Sequence, residues 1–294
     1  MRYDVVIYFQ ALDTHPLHRA QRPEDTAVTP QRMLAMAGAC IAARAPGARP
    51  VLITGGGLAV PPGFRVEPRK LADPALLQLD RIRAYRDYLA ARVGKAGAGN
   101  DGIGAIFLDL DTLVLRELAP LFDQPFDVAL TYLEAALDPP PAALDRWGLP
   151  DDGRPGAINF GVVAARFTPA AVDFFDAVLE RFSAMAESGA RFMTGKRNMF
   201  RTAAGLSRIS DLRTWGGDQF AVISLVSAAL FGTRRDRAAV AGADILLLPA
   251  AQWNWTPSDR LRRADLGGRF IAHLKGSRKE FMPGMARWLG AAET

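Results

Sequence analysis

The sequence predicts an α/β protein of three layers, with helices covering both faces of a mixed, mostly parallel sheet. Two observations predict it: short apolar runs alternate with longer segments, and those longer segments open on helix caps. A third sets the scale. At 294 residues and 49% hydrophobic content, with no internal repeat and no long linker, the chain reads as one domain over residues 1–294.

Tyr3–Phe9 ("YDVVIYF") suits a buried first strand. "TPQRMLAMAGACIAARAPG" comes next, with Thr29 as N-cap, Pro30 at the first helical position and Gly47 beyond the end. "RPVLIT" is a second strand, closed by Gly55–Gly57. The next helix is capped by Asp73, continues through Pro74 and stops at Gly94; "IGAIFLDLD" and "FDVALTYLE" are strands after it. Beyond the proline-rich loop Pro139–Pro141, "GAINFGVVAARF" is strand-like, and Thr168 with Pro169 caps a third long helix. A helix through "DQFAVISLVSAALFG", the strand "DILLLP" and the tail "RFIAHLKGSRKEFMPGMARWL" complete the order. The irregular stretch between, "GARFMTGKRNMFRTAAGLSRISDLRTWGG", suits a loop over a site or a plain surface excursion.

Composition excludes several classes. No run approaches 18 apolar residues, so no membrane span is expected, and "MRYDVVIYFQ" is too short and polar for a signal peptide. The single Cys40 permits no internal disulfide and points to a reducing compartment, the cytoplasm; its helical setting reads as core. Net charge is +5 but dispersed, without the basic stripe of a nucleic-acid protein. Two clusters, Arg234–Arg237 and Arg260–Arg263, read first as solvated faces, and second as attraction for an anionic small molecule or a membrane surface.

The chemistry concentrates in "IFLDLDTLVL". Strand alternation would put Asp109 and Asp111 on one side with Leu110 turned away, at a strand end where α/β proteins bind ligands. Two such carboxylates repel unless a cation or a shared proton intervenes. The plain alternative is a turn. A haloacid-dehalogenase-type phosphatase also ends a strand in Asp-x-Asp. Its threonine stands where this chain has Leu113, and its later acidic motif finds only Asp218. "GGDQF" is one letter from a diguanylate cyclase signature, which belongs in a hairpin, whereas "AVISLVSAALFG" after it reads as a helix.

Further fragments, in order, resemble the glycosyltransferase-8-like group, nucleotide-diphospho-sugar transferases of GT-A fold. They are "AYRDYLAARVG" before the Asp-x-Asp strand, "AINFGVV", "GGDQF" and "HLKGSRKEF". The resemblance spans roughly residues 1–285. It departs in "QALDTHP", which lacks a clear acidic nucleotide-binding end, and in Glu280–Phe281, where the group often has Pro-Trp. It implies a hexosyltransferase-like enzyme that retains anomeric configuration, with a UDP-sugar donor, Mn²⁺ or Mg²⁺, and a carbohydrate acceptor. Asp109, Asp111 and His273 would hold the metal; Arg86, Asp109, Asp111, Gly276 and Lys279 would face the donor; Asn159, Asp218 and Gln219 would act at the reacting sugar, with Gly161 in the family position. Hard carboxylate oxygens suit either ion, and an imidazole favours Mn²⁺.

Each residue also has an ordinary reading. Arg86 can make helix-surface pairs, "KGSRK" can be a basic turn, and His15 and His18 suit a solvated turn. In "QWNWTPSD", Trp253 and Trp255 offer an acceptor platform or core packing. An inverting enzyme would need a base such as Asp218 or Glu134. A non-catalytic binding protein of the same fold is the remaining alternative.

Overall fold

The computed structural model describes residues 1–11, 28–71, 77–93, 102–134, 137, 141, 143–149, 157–187, 217–233 and 236–291. Its strands in chain order are β1 (Tyr3–Phe9), β2 (Ala48–Thr54), β3 (Arg65–Pro68), β4 (Gly104–Leu108), β5 (Thr112–Val114), β6 (Val128–Tyr132), β7 (Ile158–Arg166), β8 (Arg237–Val240), β9 (Ala243–Pro249) and β10 (Ile271–His273). Eight form one sheet in the order β3-β2-β1-β4-β7-β6-β9-β8, and β5 pairs with β10 in a small ribbon. β3, β2, β1 and β4 are parallel; β7 runs against both β4 and β6; β9 is parallel to β6, and β8 is antiparallel to β9. The β8–β9 hairpin turns on Ala241 and Gly242, both at positive φ, as a two-residue turn matched to strand twist requires.

The helices are α1 (Pro30–Arg44), α2 (Leu77–Ala90), α3 (Pro169–Glu187), α4 (Gly217–Ser227), the short α5 (Ala250–Trp253) and α6 (Met282–Trp288). α1 starts as its sequence predicts: the Thr29 hydroxyl accepts the Arg32 N–H, and Pro30 comes next. Thr168 caps α3 in the same way, accepting the Ala171 N–H. The caps expected at Asp73 and Gly94, and the excursion from Gly189 to Trp215, lie outside the described residues.

Alternation along β1 sorts the core. Val6 and Tyr8 join α2, α3 and α4 in one apolar layer, which includes Tyr85 stacked on Phe107 at 4.1 Å. Val5 and Ile7 face the other way, onto Leu34, Ala37 and Ile41 of α1. The outer side of α1, with Met33, Met36 and Cys40, packs under the β5–β10 ribbon and α6. Burial pushes the Cys40 thiol up to about 12, so it is an inert core residue. No helix among the described residues is long and apolar enough to cross a membrane.

Candidate active site

β4 stops at Leu108, earlier than its sequence suggests. Asp109 and Asp111 therefore sit in a turn instead of alternating on a strand, and the expected geometry is corrected accordingly. Thr112 closes the turn: its N–H and its hydroxyl both donate to the Asp109 carbonyl, at 3.2 and 2.7 Å. The chain then enters β5, whose partner β10 ends in His273, so the ribbon carries the imidazole to the aspartates. His273 Nε2 lies 3.1 Å from Asp111 Oδ1 and 3.6 Å from Asp109 Oδ2. One ligand atom from each of the three residues falls within 4.8 Å of the others.

The tautomer of His273 is set by its other neighbours. Asn254 gives its Nδ2 to the Thr131 hydroxyl (2.7 Å) and the Asn159 carbonyl (3.3 Å), which leaves Oδ1 to accept from His273 Nδ1 at 2.9 Å. With a proton on Nδ1, the Nε2 atom is the one that faces the two carboxylates. Either a proton on Nε2 or a cation among the three satisfies that contact, and an imidazole with two hard oxygens is a donor set that fits Mn²⁺ better than Mg²⁺.

Gly161 makes the approach possible. A Cβ there would lie 2.3 Å from His273 Cε1 and 2.7 Å from Asp109 Oδ2. The "NFG" stretch holds it in place: the register between β6 and β7 shifts at Leu130/Thr131, Asn159 Oδ1 accepts the Gly161 N–H at 3.0 Å, and the Gly161 carbonyl accepts the Asp109 N–H at 2.9 Å. The amide oxygen of Asn159 thus serves the bulge.

Cations ring the carboxylates. Lys279 Nζ is 3.4 Å from Asp111 Oδ2. Burial pushes the Asp111 carboxyl up, but His273 and Lys279 outweigh it and hold the group well below the usual carboxylate range. Lys275 is pulled down by burial, partly offset by Asp109 and Asp111. Gly276 opens the Lys279 turn at φ +59, a left-handed position that suits glycine.

Sequence reasoning missed Arg81. Its guanidinium bridges Asp109 (2.7 Å) and Asp218 at the start of α4. Burial disfavours its charge, yet Asp218 and Asp109 more than compensate and raise its pKa. Arg86, the residue expected to face the donor, pairs instead with Asp176 on α3 at 3.0 Å, and among the described contacts it does not reach the carboxylates. The signal was available in the helix period: Arg81 lies four residues before the buried Tyr85, on the inward face, whereas Arg86 is one step off it. Asp218 is fully buried, and its Oδ1 accepts the backbone N–H of Gln219, its neighbour in the first turn of α4. Glu134 is exposed and lines a separate small cavity with Tyr132. Trp253 is core, stacked on Phe270 at 3.9 Å; Trp255 is half-buried. His15 and His18 lie outside the described residues.

No family model and no curated protein matches the sequence. Among solved structures, the chain is similar to the galactosyltransferase LgtC in complex with donor and acceptor sugar analogues. The TM-score is 0.51 at 13% identity, covering 99% of this chain and 96% of that one. This is the GT-A fold. A glycosyltransferase involved in the glycosylation of the major capsid of PBCV-1 aligns more loosely, with a TM-score of 0.44 at 11% identity over 97% of this chain and 100% of that one. At these identities the likeness is one of fold. In this GT-A chain the triad stands at the carboxyl ends of the parallel strands, the side on which open α/β sheets bind ligands.

Proposed function

We propose that the whole chain, residues 1–294, is a metal-dependent, hexosyltransferase-like glycosyltransferase that moves a sugar from a nucleotide diphosphate to a carbohydrate hydroxyl. The observation that carries this reading is the grouping of His273 Nε2 with two carboxylates within a GT-A fold. Asp109, Asp111 and His273 would hold Mn²⁺, or Mg²⁺, and the ion would supply charge for the departing diphosphate. UDP is the preferred nucleotide, and the cytoplasm the preferred setting.

The chain's own residues do the rest. Lys279 supplies a point charge at the donor phosphates, and the glycine at 276 lets the backbone come close. Arg81 holds Asp109 and Asp218 in one rigid arrangement, which takes the place that sequence reasoning gave to Arg86. Gln219, beside the buried Asp218 at the head of α4, would meet the reacting sugar, with Asp218 positioning it. No carboxylate stands opposite the triad as a free base among the described groups, since Asp218 is committed to Arg81 and Glu134 lines another cavity. Retention accords best with this: the donor C1–O bond breaks, the acceptor oxygen bonds C1 on the same face, and its proton passes to the leaving phosphate oxygen.

Calorimetric titration of UDP into the protein tests the reading. Saturable binding in Mn²⁺ that disappears on chelation is expected. Absence of binding under both conditions, for UDP and for other nucleoside diphosphates, would sink it.

A further inference from the structure

A second cavity lies beside the triad, on residues the proposed transfer does not use. It is an open concavity of about 830 Å³, and its walls include Trp255, Arg260, Arg262, Arg269 and Arg278 against one carboxylate, Asp265. The sequence already marks part of it, in the basic "RLRR" run.

The arginines are incompletely neutralised. Arg262 takes up Asp265 at 3.6 Å. Arg278 pairs at 3.2 Å with Asp259, which is 83% exposed and therefore largely solvent-screened. Arg260 has no carboxylate partner among the described residues. Arg269 lies over the Trp255 ring at 4.1 Å and donates to the Asp265 carbonyl, so packing holds its guanidinium without cancelling its charge. The Nε atoms of Arg269 and Arg278 are both shielded from solvent and have no hydrogen-bond partner.

Several arginines lining one concavity suit a tetrahedral dianion, whose oxygens can accept from more than one guanidinium at a time. The volume exceeds that of a phosphate alone, and Leu261 with the Trp255 edge gives the remainder an apolar wall. The link to the triad is direct. Arg278 lines the cavity and the next residue, Lys279, reaches Asp111, while Trp255 accepts the His273 N–H at 2.8 Å on its carbonyl.

We propose that this cavity binds a phosphate monoester carried by the acceptor, so that the acceptor is anionic. The assignment to the acceptor rests on the transferase reading above; the anion site itself does not. Phosphate monoesters occur on soluble sugars and on lipid headgroups, and the test separates them. Glucose 6-phosphate is titrated calorimetrically, with glucose as the uncharged control. In a second arm, the protein is sedimented with vesicles of equal parts phosphatidylcholine and phosphatidic acid, against vesicles of phosphatidylcholine alone.

Binding of either phosphate probe, weakened at least about tenfold in Arg260→Ala/Arg278→Ala, is the expected result. Arg263→Ala removes the same charge from the same segment but not from the cavity wall, and it should change binding less than about twofold. The probe that binds identifies the source of the phosphate. Failure of both probes, or equal loss in both variants, overturns the proposal. Arg260→Ala alone, an exposed and carboxylate-free position, provides a variant that folds if the double one does not. UDP titration in Mn²⁺ runs alongside. Loss of UDP binding with phosphate binding intact would refute the donor reading and spare the cavity; the reverse would do the opposite.

Discussion

Two acidic clusters stand at opposite ends of the same parallel strands, and they are built on different terms. Asp4, near the start of β1, is fully buried and saturated. Arg49 lies 2.7 Å from one oxygen; the Tyr88 hydroxyl donates to the other at 2.7 Å, with Arg92 at 3.5 Å and Arg65 at 3.9 Å. Asp109 and Asp111 sit past the end of β4, 28% and 17% exposed, and share the imidazole of His273. One cluster spends every lone pair on the protein. The other keeps oxygens and a ring nitrogen grouped closely enough to take an added cation. Burial of charge therefore does not identify a site by itself; such a grouping at an accessible strand end does.

Substitutions can break that contrast. The largest effect is expected from Asp109→Asn with Asp111→Asn: transfer should fall about a thousandfold or more and Mn²⁺-dependent UDP binding should vanish, with thermal stability preserved. Full turnover in that double variant would remove the pair from the mechanism. Asp4→Asn should do the converse, costing about 1–3 kcal/mol in a denaturant titration by weakening the bonds of a buried carboxylate to Tyr88 and to partly exposed arginines, with donor affinity unchanged in the fraction that remains folded. If Asp4→Asn lost donor affinity without losing stability, the distinction between the clusters would collapse.

A smaller effect sharpens it. Asn254→Ala takes away the acceptor that fixes His273 Nδ1–H, and Mn²⁺ affinity should drop about 10–100-fold in a calorimetric titration. An unchanged affinity would mean that the ribbon alone orients the ring.

The smallest effect concerns Glu117, which accepts from Tyr3, the neighbour of Asp4 on β1. Burial pushes its carboxyl up, but the Tyr3 hydroxyl and the N–H groups of Ala119, Gly47 and Leu118 outweigh that and hold it below its ordinary value. A depressed carboxylate stabilises the fold fully above its unfolded pKa, near about 4.3, and that stability is lost as pH falls through the lower folded value. Glu117→Gln should flatten the acid limb of a melting-temperature profile below that pH and leave the neutral region with a constant offset. An acid limb identical to that of the unaltered chain would show that Glu117 does not contribute to it.

Much of this was legible one residue at a time. Caps at Thr29 and Thr168 need only a hydroxyl and a proline after it, and both helices begin where those letters stand. The Asp-x-Asp pair, the Asn-x-Gly stretch and the lone His273 were visible as chemistry-bearing types, and the fold brings them together. Short strands such as β5 and β10 were not legible, because three residues carry no period of their own and exist only as each other's partners. Arg81 is hidden in the sequence for a different reason. Which arginine of α2 turns inward depends on the helix phase against Tyr85 and Phe107, and a list of charged letters does not contain that phase.

By itself, then, the sequence determined the alternation of buried strands with capped helices, the reactive residue types and their order along the chain. Those come from interactions local in sequence: propensity, capping and periodicity. The tertiary structure alone decided that Asp111 and His273, far apart along the chain, face one another at 3.1 Å, that Asn254 sets the proton on the far nitrogen, and that Gly161 leaves the space between. The physical reason is range. Ångström-scale contacts between distant residues are set by sheet register and core packing, which are properties of the assembled layers and of no segment taken singly.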